Sequence, residues 1–202
     1  MGVQIDRPMR VLVLFAHPVE TSFGAALHAK AVATLRRRGH EVDDCDLNAE
    51  GFDPVMTRED RIAYYDPSLN RRGVAPYVDR LLAAEALVFS FPVWNMGLPA
   101  ILKGFVDKVF LPGVCFDLRD DGTFVPRLHN IKRLGVVCTY GGSRWKTVLA
   151  GDPPRRFLGR TMRSVCAPGA PFDYLAHYDM DHTRADRRAA FLREVEAKFS
   201  AW

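Results

Sequence analysis

Several signatures that would place this chain quickly are missing from it. No G-x-G-x-x-G follows the first apolar run and there is no Walker A sequence, so neither a dinucleotide fingerprint nor a P-loop is present. No G-x-S-x-G supports a Ser-His-Asp hydrolase. No H-E-x-x-H or Cys–His ligand spacing supports a metal centre. No apolar run is long enough to span a bilayer, which argues against an integral membrane protein. The opening residues, MGVQIDRPMR, lack the apolar core of a secretory signal, and Asp6 stands where myristoylation needs Ser or Thr. The four cysteines, Cys45, Cys115, Cys138 and Cys166, form no C-x-x-C pair and read as reduced, mostly buried thiols of a cytoplasmic protein. Charge of one sign is also scarce. A net charge of +4 suits anionic ligands such as nucleotide phosphates but does not call for nucleic acid. The one tight basic run, Arg36–Arg38, precedes Gly39 at the end of a helical pattern, where cations favour the negative end of the helix dipole.

What is present suffices for one core. The chain has 202 residues, 48% of them hydrophobic, and one domain is the simplest count. Residues 1–9 are expected as a disordered tail and 10–202 as the folded domain. Three continuous apolar runs, Val11–Phe15, Ala86–Phe91 and Leu134–Cys138, read as central parallel strands covered on both faces. Glu41–Leu47 is charged and suits an outer strand, and Phe172–Tyr178 a final one. Helical spacing recurs over Ser22–Arg38, Tyr77–Glu85 and Thr183–Phe199, with a short helix expected at Thr57–Tyr64 and a small hairpin around Asp121-Gly122. Thr183 with Asp186 resembles a capping box. Pro92 is expected to end its strand, since it cannot donate to a central ladder. This order predicts an α/β fold, a doubly wound five-stranded parallel sheet with helices on both faces.

Each of the three central strands runs into an unusual loop. After the first comes AHPVETSF, where Thr21 and Ser22 stand at a helix N-terminus and His17 offers a further donor. Hydroxyls and free backbone N–H groups there form an anion cradle; a plain helix cap at Ser22 is the simpler alternative. After the second come Pro92, Val93, Trp94, Asn95, Met96 and Gly97, then Pro99 at the start of a helix. An indole, an amide and a thioether beside exposed backbone suit a flat ring such as a flavin, while a buried aromatic turn is the alternative. After the third comes Thr139-Tyr140-Gly141-Gly142, where paired glycines let the backbone approach a ligand or simply turn. Ligands of open α/β sheets bind beyond the carboxyl ends of the strands, so the three loops together describe a mononucleotide site.

HPVETSF, FPVWNMGLPAILKG and TYGG, in this order and at these distances, resemble the flavodoxin-like NAD(P)H:quinone oxidoreductases, a group that includes flavin-bearing ancillary subunits of potassium efflux systems. GFDPVMTRED, Gly51–Asp60, is similar to the family's segment after the second strand. The resemblance covers most of residues 10–142 and, more loosely, the last strand and helix. It implies a flavin, FAD favoured by the long 48–76 insert and FMN the alternative, with NAD(P)H as co-substrate. It also implies a homodimer with active sites at the subunit interface. By the same resemblance His17, Thr21, Ser22 and Phe23 hold the flavin phosphate region. Pro92, Val93, Trp94, Asn95 and Met96 line the ring, and Thr139, Tyr140, Gly141 and Gly142 lie along its other side. The implied activity passes hydride from NAD(P)H through flavin N5 to a quinone or similar small acceptor. The alternative is a flavin-bearing regulatory or electron-transfer subunit that docks on a partner protein.

One departure is visible. Quinone reductases of this family carry a Tyr and a His after the double glycine, whereas residues 143–164 contain neither. Arg144, Trp145 and Lys146 stand there instead, with Arg144 and Trp145 as the catalytic candidates. The run GDPPRR reads as helix initiation, with Asp152 as cap and Pro153 in the first turn. HYDMDH, His177–His182, gathers metal-type side chains without a ligand spacing, and no metal is expected there.

Overall fold

In the computed structural model, which describes residues 7–202, strand β1 (Arg10–Phe15) leads into helix α1 (Phe23–Arg37) and strand β2 (Glu41–Asp46). Helices α2 (Arg58–Ala63) and α3 (Ala75–Ala83) precede β3 (Ala86–Val93) and α4 (Ala100–Val109). A hairpin of β4 (Phe116–Leu118) and β5 (Phe124–Pro126) precedes β6 (Arg133–Tyr140). Short helices α5 (Arg144–Leu149) and α6 (Pro153–Arg156) follow, the latter widening into a π-helical turn over Phe157–Met162. Strand β7 (Phe172–His177) and helix α7 (Ala185–Ser200) close the chain.

The main sheet has the order β2-β1-β3-β6-β7, all parallel. Alternation along its strands divides the core in two. Val11, Val13, Ala86, Val88 and Val137 face α1 and α7, where Leu27, Leu35, Val195 and Phe199 cover them. Leu12, Leu14, Leu87, Phe89 and Val136 face the other layer, with Leu81 of α3, Phe105 of α4 and Leu158 of the π-helical turn. Two glycines make room for large neighbours. A Cβ on Gly135 would lie 2.9 Å from Cζ2 of Trp202, whose indole N–H donates to Asp173 at 3.1 Å. A Cβ on Gly104 would lie 2.3 Å from the Cβ and carbonyl oxygen of Pro54, so the segment after β2 rests directly on α4.

The predicted elements are present, with four differences. Strand β3 continues through Pro92, which pairs in register with Thr139. The Ser90 carbonyl accepts from Ala16 N–H at 3.0 Å and so faces β1, and Pro92, two residues on, faces the same way. Its missing N–H lies on the β1 side, where pairing stops at Phe15, so the ladder to β6 is left intact. The cap expected at Thr183 is not formed: α7 begins after Arg184 without a side-chain cap, and Thr183 Oγ1 lies 3.4 Å from His177 Nε2. Asp152 precedes α6, but its carboxylate caps nothing there. The tail expected over residues 1–9 falls, for 1–6, outside the described residues. Met9 is buried, and its N–H donates to His40 Nδ1 at 3.1 Å.

The packing predicts a pH dependence. Burial lowers His17, His40 and His177 below the ordinary 6.5, so these imidazoles stay neutral in the fold. Between their folded and unfolded values the unfolded chain binds more protons, and stability therefore falls with falling pH. Denaturant unfolding is expected to give a flat stability above about pH 7 and a loss beginning near 6.5, before the carboxylates titrate. A maximum near pH 5 would contradict it.

Candidate functional site

The sheet reverses its winding between β1 and β3, and the carboxyl ends of β1, β3 and β6 lie side by side there. Ala16 N–H, bonded to the Ser90 carbonyl, ties the first loop to β3. Val19 N–H donates to His17 Nδ1 at 3.0 Å, and with the ring neutral this leaves Nε2–H as a donor. Ser22 Oγ accepts from Ala25 N–H at 3.0 Å, a true helix cap. The first-turn N–H groups of Phe23 and Gly24 keep no helical acceptor, and the dipole of this 15-residue helix favours an anion in front of them.

The second loop is a tight reversal. Gly97 N–H donates to the Trp94 carbonyl at 2.9 Å, with Asn95 at φ 48° and Met96 at φ 59° between them. Two non-glycine residues in the left-handed region cost about 1–2 kcal/mol each, and such strain concentrates at ligand sites. Trp94 stands 46% exposed, its ring 6.0 Å from that of His17 and edge-on to it. The third loop presents bare backbone. Gly141 and Gly142 are exposed, and a Cβ on Gly142 would meet nothing within 4 Å.

The structure thus brings all thirteen predicted binding residues to one edge of the sheet, in different roles. Thr21, Trp94, Asn95, Gly141 and Gly142 are exposed, and His17, Ser22, Phe23, Met96 and Thr139 half-buried. Pro92, Val93 and Tyr140 are buried, so only their backbone is available to a ligand. The Tyr140 hydroxyl donates to Asp152 Oδ1 at 2.7 Å and lies 2.5 Å from the Tyr174 hydroxyl. Burial pushes both phenols up, so they stay neutral. This bond is where the Asp152 carboxylate goes in place of the expected cap, and it anchors the chain that leaves the third loop. Arg144 and Trp145 open α5, with Trp145 65% exposed. Among the described residues Arg144 and Lys146 make no ion pair.

Sequence reasoning missed a fourth loop. Asp179 N–H donates to the Gly142 carbonyl at 3.0 Å, and Asp181 Oδ2 lies 3.2 Å from the place a Gly141 Cβ would take. The signal was in HYDMDH, where Asp179 adopts φ 62° and Asp179 Oδ1 lies 3.2 Å from His182 Nδ1. Among the described residues no group of three His, Cys, Asp or Glu side chains is arranged to hold a metal. The donors, the indole and the bare glycines together fit a phosphate-bearing planar heterocycle.

Comparison with known proteins bears on this site. A family model described as a flavodoxin-like fold matches residues 9–165. NAD(P)H dehydrogenase (quinone) 1 of Rattus norvegicus is 33% identical over 154 residues, covering 66% of this chain and 54% of the rat protein. The chain spans about half the length of the curated relatives it matches. A crystal structure from Streptococcus mutans UA159 superposes with a TM-score of 0.83 at 25% identity, covering 96% of this chain and 100% of that one. An FMN-dependent NADH-azoreductase from Bacillus anthracis, solved in complex with FMN, shares the fold with a TM-score of 0.75 at 15% identity, covering 95% of this chain and 97% of its own.

Proposed function

We propose, from the premise that this chain belongs to the flavodoxin-like family, that it is a flavin-dependent NAD(P)H oxidoreductase acting on a quinone or similar small acceptor. The observation that carries the reading is the convergence of the loops after β1, β3 and β6 on one rim. A bound flavin would supply the redox chemistry, carrying hydride from NAD(P)H to the acceptor as a two-electron relay. The chain's part is placement. Phe23 N–H, Gly24 N–H and the neutral Nε2–H of His17 receive the phosphate. The strained turn at Asn95 and Met96 offers backbone groups to the polar edge of the ring, with Trp94 as an apolar wall. Gly142, with open space around its missing side chain, would leave room for nicotinamide and then for the acceptor, while Gly141 lies beside the Asp181 carboxylate. No protein nucleophile is required. Arg144 takes the place of the family's missing Tyr-His pair as the charge that meets a negative ring or nucleotide.

FAD rested on the 48–76 insert. That segment packs on α4, with Pro54 against Gly104 and the Lys108 ammonium donating to the Val55 carbonyl at 2.9 Å, so it gives FAD no support over FMN. FMN in the Bacillus neighbour supports the mononucleotide. A homodimer and a cytoplasmic setting belong to the same reading. They are supported by the exposed apolar side chains of Leu118 and Phe124 on the hairpin and by four buried free thiols. No helix among the described residues is long and apolar enough to cross a membrane.

Steady-state oxidation of NADH and NADPH with a soluble quinone tests the activity. Turnover in proportion to flavin content is expected. A flavin-loaded protein inert with both nucleotides would instead favour a docking subunit.

A further inference from the structure

At the opposite edge of the sheet, where β6 and β7 begin, lies an open cavity of about 370 Å³. It is walled by Pro126 and Pro168 and lined by His129, Arg160, Arg163 and Ser164. Its lining contains no carboxylate. Both arginines are exposed along it, and among the described residues neither makes an ion pair.

The fold holds these arginines in place. Gly159 lets the π-helical turn lie on β7, since a Cβ there would come 2.7 Å from the Phe172 ring. Arg160 lies on that turn and Arg163 caps it, and both line the same pocket. Wide turns of this kind recur at functional sites. Arg163 Nε donates to the Ala170 carbonyl at 2.6 Å, which fixes the guanidinium over the Ala167–Ala170 turn and leaves its two Nη groups free of described partners. A planar fork fixed at one nitrogen, beside a second unpaired guanidinium and an imidazole, matches the oxygens of a tetrahedral oxyanion.

We propose that this cavity binds a phosphate group carried by a small molecule, with Arg160 and Arg163 as its principal contacts. The volume exceeds what phosphate alone needs, and the prolines and Ala167 offer an apolar wall to the body that carries it. The proposal stands apart from the proposed redox site, since neither arginine belongs to the loops at the other edge.

The test titrates inorganic phosphate into full-length protein saturated with FMN, at constant ionic strength set with sodium chloride, by calorimetry. One phosphate per chain is expected. Affinity should fall about tenfold for R160Q and for R163Q and further for the double variant, the size of one charge-assisted hydrogen bond each. The flavin absorbance per chain should not change. Both side chains are exposed, so the fold should tolerate the changes; should the double variant aggregate, R160Q alone decides. No phosphate-specific heat in the parent, or binding equal in R160Q and parent, would overturn the proposal. A protein that takes up no FMN but still binds phosphate through these arginines would overturn the flavin reading and leave this one standing.

Discussion

A G104A variant is expected to lose on the order of 3 kcal/mol or more of unfolding free energy. Helix propensity alone predicts the opposite sign, since replacing a mid-helix glycine with alanine stabilises by roughly 0.5–1 kcal/mol. The deciding fact is the neighbour. The added Cβ would sit 2.3 Å from the Pro54 carbonyl oxygen and 2.6 Å from Pro54 Cα, which are backbone atoms of a rigid residue. No side-chain rotation relieves that contact, so α4 or the segment after β2 must move. Helix α4 follows the strained turn at Asn95 and Met96, and its displacement should weaken flavin uptake as well. Denaturant unfolding at a single pH checks the sign, and a variant as stable as the parent would refute the packing account. The contact also explains why GFDP and PAILKG occur in one sequence: each supplies half of one close approach.

A G142L variant should behave in the opposite way. The position has no positive φ and has open space around the missing Cβ, so neither asks for glycine there. Its stability should stay within about 0.5 kcal/mol of the parent. Yet a leucine side chain would add bulk to the loop that follows β6, one of the three that meet at the rim. Flavin affinity, or turnover where flavin is retained, is expected to drop by about a hundredfold, equivalent to roughly 2.7 kcal/mol. Equal flavin binding and equal turnover in G142L and parent would remove Gly142 from the site. A large loss of stability would give the glycine a structural cause instead.

Much of this could be read from the chain because it depends on burial on both faces. Val11–Phe15, Ala86–Phe91 and Leu134–Cys138 are apolar without alternation since both sheet faces are covered, and these runs became β1, β3 and β6. The loops were legible for the same reason: a polar or glycine-rich break directly after a buried strand marks the carboxyl edge. What stayed hidden depends on partners far away in sequence. Pro92 stays in the ladder to β6 because its missing N–H lies on the opposite side, where pairing with β1 stops at Phe15. Asp152 leaves its cap for Tyr140, twelve residues earlier at the end of β6, and Asp179 reaches the Gly142 carbonyl because β6 and β7 are neighbours. Trp202 packs where Gly135 has no side chain. None of these pairings leaves a periodic trace in a single sequence.

The cofactor itself is the most direct test. The purified protein should be yellow, with flavin absorbance near one per chain after incubation with FMN or FAD, and the mass of the released compound should identify which was held. A folded protein that stays colourless and takes up neither flavin would contradict the account.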